Sequence, residues 1–277
     1  MSKAIVDGIN IEYRVEGQGE PLVMIMGLGS TRSGWLFQTP VFKKHYRVVT
    51  FDNRGVGKSD KPIGPYSIKM MADDTVGLMN HLGIEKAHIL GVSMGGMIAQ
   101  ELATNHPQRV SKLVLACTFA RSDDDSGISS ELFQALRHPG YDERRSDSDI
   151  SSIPSRKVAD ALFGLIFNKR LYRTIFIPLM KLVVRLEETR GIMGQAEAVL
   201  GHNTADRLHL VNAPTLVLAG SKDRVIKPSS SELIAKLIPD ARLVKVDDGS
   251  HAFFIEMRNI FNREVLKFLK GTTGENQ

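Results

Sequence analysis

"HILGVSMGGMIAQ", residues 88 to 100, places an apolar run, a Gly-x-Ser-x-Gly turn and a helix-forming run in direct succession. The apolar run indicates the end of a buried strand, and apolar residues recur at helical spacing after the turn. Ser93 lies in that tight strand-to-helix turn, where the small residues Gly91 and Gly95 relieve crowding. Such a turn exposes a serine hydroxyl above a sheet, beside the N-terminus of a helix. The stretch therefore predicts a nucleophilic serine; the alternative is a chance match, since Gly-x-Ser-x-Gly occurs in many chains.

The composition is that of a globular protein without a membrane span. The 277 residues are 42% hydrophobic and 24% charged, enough for one large α/β domain or a core with a small insertion. The longest apolar runs are too short to cross a membrane. The N-terminal stretch "MSKAIVDGINIEYR" lacks the apolar segment of a secretory signal, so a cytoplasmic location is expected. The single cysteine, Cys117, rules out an internal disulfide and offers no metal-binding cluster.

The positive charge of the chain does not indicate a nucleic-acid partner. The net charge is +5 and the pI is near 9.3. Basic residues alternate with acidic ones, as in "YDERRSDSD" at 141–149, and form no long basic block. No nucleic-acid-binding motif accompanies them, so we interpret these charges as solvated surface.

Strand and helix patterns alternate over most of the chain. Ser67 is a plausible N-cap for a helix that begins at Ile68, and the helix after Ser93 extends to about His106. Further helices are predicted near 229–238 and 254–269. The strand patterns, most of them apolar on both faces, lie at 10–16, 21–26, 46–52, 87–91, 111–117, 213–220 and 241–248. This alternation predicts an α/β fold with a mainly parallel sheet covered by helices.

The middle of the chain interrupts this alternation. The polar stretch "ARSDDDSGISS" resembles a linker, and only helical patterns follow it up to residue 209. Two apolar stripes mark these helices: Val158, Leu162, Leu165 and Ile166; then Leu171, Ile175, Leu179, Leu182 and Leu186. We therefore predict a first core part at 1–120, a helical cap at 121–209 and a second core part at 210–277.

A serine nucleophile needs a base, and the base needs an orienting acid. Among eight histidines only His251, in "VDDGSHAFFIE", follows a predicted core strand of the sheet; the alternative is a surface-loop histidine. Asp223, in "LVLAGSKDRVIKP", also lies just past a strand end. The competing acids are Asp123, Asp124 and Asp125, which lie in the polar linker several residues beyond their strand.

The order Ser93, Asp223, His251 is the chain order of one hydrolase architecture. Together with "MGLGS", "FDNRGVGKSD", "GVSMGG", "APTLVLAGSKDRVIKP" and "DDGSHAFF", it makes the chain resemble the α/β-hydrolase-fold superfamily over nearly its whole length. Within that superfamily it is similar to serine carboxylesterases, enol-lactonases and cofactor-free haloperoxidase-like members. Epoxide hydrolases and haloalkane dehalogenases carry Asp at the nucleophile position, so Ser93 argues against both.

The resemblance also implies an oxyanion hole formed by two backbone N–H groups. Met94, directly after the nucleophile, is one candidate donor, and Leu28 in "MGLGS" is the other. Relatives often have His-Gly where this chain has Met26-Gly27, so an imidazole that could order the loop is missing. A simple glycine-rich turn is the alternative interpretation of "MGLGS".

Candidate pocket residues are Trp35, after that loop, and Leu162 and Leu179 in the cap. An ordinary core position is an equally good interpretation of Trp35. The stretch "DNRGVGKSD" lacks the spacing of a dinucleotide or P-loop motif, so we interpret it as a structural turn. No metal or organic cofactor is implied.

These features predict a serine hydrolase of carboxylic esters or lactones that acts through an acyl-enzyme. The expected partner is a small-molecule ester or lactone, and the oligomeric state is left open. C–C bond hydrolysis of a ring-cleavage product, or perhydrolysis, could use the same triad. A non-catalytic fold that binds a ligand is a further alternative, although a binder has no need of a complete triad.

Overall fold

An eight-stranded sheet forms the centre of the molecule. The computed structural model describes residues 2–122, 165–172, 174 and 189–271. The strands are β1 (Ser2–Val6), β2 (Ile9–Glu16), β3 (Pro21–Ile25), β4 (Arg47–Phe51), β5 (Ala87–Val92), β6 (Val110–Ala116), β7 (Thr215–Gly220) and β8 (Ala241–Val246). They lie in the order β1-β2-β4-β3-β5-β6-β7-β8. The two pairs made by β2 are antiparallel and all the others are parallel.

Helices flank this sheet in the described part of the chain. They are α1 (Thr39–Phe42), α2 (Ile68–His81), α3 (Met94–Asn105), α4 (Thr189–Leu200), α5 (Pro228–Leu237), α6 (Phe253–Glu256) and α7 (Arg258–Lys270). Short 3₁₀ helices cover Arg32–Trp35, Pro107–Arg109 and Ala205–Leu210. No helix within these described ranges is long and apolar enough to cross a bilayer.

The observed sheet confirms the fold class that the sequence predicts. Strands β5 and β7 are buried along their whole length, as expected of central strands covered on both faces. Six neighbouring parallel strands, β4, β3, β5, β6, β7 and β8, end at the same edge of the sheet. The loops that follow those strands therefore converge there, where open α/β sheets carry their sites.

Three elements differ from, or sharpen, the sequence prediction. Strand β1 was not predicted, because only Ala4 and Val6 are buried in this short edge strand. The predicted final helix divides at Met257 into α6 and α7. The N-cap prediction is confirmed, since the Ser67 hydroxyl oxygen accepts a hydrogen bond of 3.1 Å from the Met70 N–H.

The cap prediction can be followed only in part. Leu165 and Ile166 of the first stripe are buried, whereas Leu171 of the second is 66% exposed. Two residues near the ends of the 121–209 segment, Arg121 and Asn203, form an antiparallel bridge with each other. The domain boundaries themselves stay a prediction.

The burial of His202, near the end of this segment, predicts a pH dependence of stability. The residue is only 3% exposed, and its Nε2 lies 3.3 Å from the Thr204 hydroxyl. Burial lowers the pKa of His202 to about 4, because the charged imidazolium is poorly solvated there. An unfolded chain binds this proton already near pH 6.5, so the folded state loses stability as the pH falls from about 6.5 toward 4.

Because of this histidine, we expect the free energy of unfolding to fall by about 2 kcal/mol between pH 7.5 and pH 5. A His202→Gln variant should lack that part of the pH dependence, as urea unfolding at the two pH values would measure. Other titrating groups contribute equally to both proteins, so the difference between them isolates His202. Equal losses of unfolding free energy in parent and variant would contradict the prediction.

Candidate active site

Ser93 occupies a strained turn between β5 and α3. Its backbone has φ +56° and ψ −123°, a conformation that non-glycine residues rarely adopt and that costs about 1–3 kcal/mol. The Ser93 N–H donates to the Ala116 carbonyl of the neighbouring strand at 2.9 Å. The side chain is half-buried, so the hydroxyl stays accessible at the carboxyl end of the sheet. The turn that the sequence predicts is therefore present.

Close backbone approach explains the two glycines that flank this serine. A Cβ on Gly91 would lie 2.2 Å from the Gly95 carbonyl oxygen, and a Cβ on Gly95 would lie 2.1 Å from the Ile25 carbonyl oxygen. Gly27 borders the nucleophile itself, because a Cβ there would lie 3.1 Å from the Ser93 Cβ. Any larger residue at these positions would push α3 or the β3 loop away from the serine.

His251 and Asp223 meet at the same edge of the sheet. His251 Nδ1 and Asp223 Oδ2 are 2.8 Å apart, and both side chains are nearly buried, at 7% and 3% exposed. A carboxylate only accepts hydrogen bonds, so Nδ1 carries a proton, and in the neutral ring Nε2 is then the acceptor. This is the tautomer that a base needs to take a proton from a serine hydroxyl.

The loop that carries Asp223 is fixed by that same carboxylate. Asp223 Oδ1 accepts hydrogen bonds from the N–H groups of Val225 and Ile226 at 2.8 and 2.9 Å. The loop after β8 packs closely against the end of β7: a Cβ on Gly220 would lie 2.4 Å from the Gly249 carbonyl oxygen. The structure thus brings Asp223 to His251; the competing acids Asp123, Asp124 and Asp125 lie outside the described residues.

Ser93 and His251 both lie at the carboxyl edge of the sheet, after β5 and β8. Among the described residues, no hydrogen bond joins the Ser93 hydroxyl to the His251 ring. Nucleophile and base are often loosely placed in enzymes without substrate and tighten when it binds. Of the remaining histidines, His106 pairs with Asp73 at 3.2 Å, at the far end of α3 from Ser93.

The two backbone N–H groups that the sequence predicts for an oxyanion hole follow the ends of β5 and β3, and their joint role stays a prediction. Met94 is the first residue of α3, so the helix itself offers its N–H no partner. Leu28 follows β3 in a turn closed by a 3.2 Å bond from the Ser30 N–H to the Gly27 carbonyl. No partner for the Leu28 N–H is found within the ranges that the structure describes.

Cys117 also approaches the histidine and the acid, and burial favours the protonated form of its thiol. The Cys117 thiol, the Asp223 carboxylate and the His251 ring each place one atom within 4.8 Å of the others. Burial, followed by the charge of Asp223, raises the pKa of the Cys117 thiol well above its usual range. The thiol donates to the His251 carbonyl at 3.1 Å. It therefore helps to hold the His251 loop.

Of the three predicted pocket residues, only Trp35 lies among the residues that the structure describes. Trp35 is fully buried in the core, where its ring lies 5.9 Å from that of Phe254, which favours the core alternative that the sequence left open. The apolar ring gains more from complete burial there than from lining an open pocket. Leu162 and Leu179 lie outside the described residues, and their pocket roles stay predictions.

The sequence reasoning missed two amide side chains near the site. Asn53 donates from Nδ2 to the Met26 carbonyl at 3.0 Å, and Gln195 accepts from the Gly29 N–H at 2.9 Å. Both side chains therefore hold the loop that carries Leu28. A signal for Gln195 does exist, because it lies on the same helical face as Gly191, Gly194 and Ala198, an unusual setting for a polar residue.

Known proteins resemble the chain over nearly its full length. A putative carbamate hydrolase RutD of Caulobacter segnis is 30% identical over 277 residues, covering 98% of this chain and 100% of the relative. A putative non-heme bromoperoxidase BpoC of Mycobacterium tuberculosis is 30% identical over 265 residues, 94% of this chain and 97% of the relative. The crystal structure of the enol-lactonase from Burkholderia xenovorans LB400 superimposes with a TM-score of 0.85 at 27% identity, covering 98% and 100% of the two chains.

A family profile described as alpha/beta hydrolase fold matches residues 20–257. The match spans β3 to α6 and so contains Ser93, Asp223 and His251. Fold, relatives and profile agree on a hydrolytic enzyme. The chain belongs to the α/β-hydrolase family.

Proposed function

We propose that this protein is a serine hydrolase that cleaves carboxylic esters, lactones included, through an acyl-enzyme. The observation that supports this most is the buried 2.8 Å bond between His251 and Asp223 beside the strained Ser93 turn. A ligand-binding fold without catalysis gains nothing from holding a histidine in the tautomer that leaves Nε2 unprotonated. It would also gain nothing from the strain at Ser93.

In the first half of the reaction, the Ser93 Oγ attacks the carbonyl carbon and His251 Nε2 takes its proton. The imidazolium that forms is stabilised by the Asp223 carboxylate. The negative charge on the carbonyl oxygen is stabilised by the N–H groups of Met94 and Leu28. His251 then returns the proton to the leaving alcohol oxygen as the C–O bond breaks.

In the second half, water replaces the alcohol. His251 Nε2 accepts a proton from the water as its oxygen attacks the acyl carbon bound to Ser93. Collapse of the second tetrahedral intermediate breaks the bond to Ser93, whose oxygen recovers the proton. For a lactone the alcohol and the acid belong to one molecule, so a single hydroxy acid is released.

The names of the relatives widen the set of substrates worth testing. A carbamate passes through a tetrahedral intermediate of the same kind, and perhydrolysis replaces the attacking water with hydrogen peroxide. C–C bond hydrolysis of a ring-cleavage product would use the same serine. We favour esters because the residues described here supply everything that ester cleavage requires.

A substrate panel tests this proposal. p-Nitrophenyl esters with acyl chains of two to eight carbons, a set of lactones and an aryl carbamate would be compared by kcat/KM. The proposal predicts that an ester or a lactone gives the highest value. A higher value for the carbamate would transfer the assignment to carbamate cleavage, and no turnover of any compound would favour the ligand-binding alternative.

A further inference from the structure

We propose that Gln195, on helix α4 of the predicted cap, is a positioning residue that holds the oxyanion-hole loop in its active conformation. This inference rests on the proposed function, because it assigns Gln195 a part in the same acyl transfer. Gln195 does not touch the reacting atoms. It acts through the Gly27–Ser30 turn, which carries the Leu28 N–H.

The Gln195 amide is completely buried and both of its ends are bonded. Its Oε1 accepts from the Gly29 N–H at 2.9 Å, and its Nε2 donates to the Arg54 carbonyl at 2.7 Å. One partner is a donor and the other an acceptor, so the two bonds fix which way the amide faces. Gln195 therefore bridges the β3 loop and the β4 loop through a single side chain.

The bond to Gly29 holds a particular turn geometry. Gly29 has φ +67° whereas Leu28 does not have a positive φ, and the Ser30 N–H bonds to the Gly27 carbonyl. These features define a type II turn, in which the peptide group between Leu28 and Gly29 has one of two opposite orientations. Gln195 accepts from the N–H of that peptide group, which is the neighbour of the Gly27–Leu28 peptide that carries the Leu28 N–H. Losing the amide therefore frees the turn to change its shape and to displace that N–H.

Helix α4 packs closely against the loop after β4. A Cβ on Gly191 would lie 1.9 Å from the Gly55 carbonyl oxygen, and a Cβ on Gly194 would lie 2.8 Å from the Tyr66 ring. Only glycines let the helix backbone come this close to the β4 loop. The side chain of Ile192 covers Gly29: a Cβ built on Gly29 would lie 3.8 Å from it. The helix thus lies directly over the turn.

This arrangement supplies what the missing loop histidine would have supplied. Two hydrogen bonds come from the "FDNRGVGKSD" stretch, which the sequence indicated only as a structural turn. The Asn53 amide donates to the Met26 carbonyl, and the Arg54 carbonyl accepts from Gln195. The Arg32 N–H adds a third tie, to Asp52 Oδ1 at 2.8 Å. Of the residues that form these hydrogen bonds, Gln195 is the one in the predicted cap. The position of the cap helix and the conformation of the oxyanion-hole loop are therefore coupled.

Gln195→Met tests the inference, since it keeps the volume of the side chain and removes both hydrogen bonds. A displaced oxyanion donor weakens binding of the transition state and leaves binding of the ground state nearly unchanged. We expect kcat on the preferred p-nitrophenyl ester to fall at least about tenfold with KM changed less than about threefold. Amide hydrogen exchange of the 26–30 peptide should rise in the same variant.

Gln100→Met is the matched control. Gln100 is another fully buried amide, on α3, and it bonds to the Phe119 carbonyl and to Thr204 at 3.0 and 2.7 Å, away from the oxyanion loop. It should lower stability to a similar degree while kcat stays within about threefold of the parent. A kcat loss in Gln195→Met no larger than in Gln100→Met would overturn the inference.

Gln195→Glu gives a second readout if the methionine variant does not fold. A protonated carboxyl can accept from Gly29 and donate to Arg54, whereas a carboxylate cannot donate. The ratio of variant to parent kcat should therefore rise at least about threefold between pH 8 and pH 5.5; a constant ratio would contradict the inference. If the parent turns over no ester, the proposed function fails, and unchanged exchange of the 26–30 peptide then overturns the positioning role separately.

Discussion

Replacing Ser93 with alanine is expected to lower kcat for ester hydrolysis by at least about a thousandfold, because the attacking oxygen is removed. The oxyanion donors and the binding surface remain in place, so a small residual rate should survive through attack by water. The measurement is kcat on the best ester of the panel, with circular dichroism to show that the variant is folded.

The fold should tolerate this change well. The hydroxyl of Ser93 takes part in no hydrogen bond among the described residues, and the strained backbone is held by the Ala116 carbonyl whatever the side chain. Thermal unfolding should therefore shift by only a few degrees. Retention of more than about a tenth of the parent activity would exclude Ser93 as the nucleophile.

Asp223→Asn is expected to lower kcat by about a hundredfold or more, through the wrong tautomer of His251. The asparagine oxygen can still accept from the N–H groups of Val225 and Ile226, which places its amide nitrogen against His251 Nδ1. An amide N–H needs an acceptor there, so the ring proton moves to Nε2. A histidine protonated at Nε2 cannot take the proton of Ser93.

The competing acids supply the control for this prediction. Changing Asp123, Asp124 and Asp125 together to asparagine should alter kcat by less than about fivefold, since solvated carboxylates contribute little to catalysis. Activity would be measured for both variants under the same conditions. A larger loss of kcat in the triple variant than in Asp223→Asn would mean that the acid of the triad lies in the linker.

The sequence predicts most of the sheet because buried strands leave a simple pattern. Continuous apolar runs such as β5 and β7 allow few alternatives, and the Gly-x-Ser-x-Gly turn must follow one of them. Strand β1 escapes this reasoning, since a short, half-exposed edge strand has too few apolar positions to stand out. Burial, more than intrinsic strand preference, decided which strands could be recognised.

The site was predictable where it depends on strand ends, and less so where it depends on tertiary contacts. Asp223 and His251 both follow core strands, so their meeting at 2.8 Å could be anticipated from the order of the chain. The contact of Gln195 with Gly29 joins residues 166 positions apart, and no local pattern reports such a bond. Trp35 shows the same limit: sequence alone did not distinguish a core ring from a pocket wall.

Covalent labelling with a fluorophosphonate tests most directly whether Ser93 acts as an activated nucleophile. The reagent phosphonylates an activated serine, with fluoride as the leaving group and the serine proton passing to the base. Peptide mass spectrometry should find one adduct per chain, on the peptide that contains Ser93, and the Asp223→Asn variant should be labelled at least about a hundredfold more slowly. An adduct on another residue, or no adduct at all, would contradict the account.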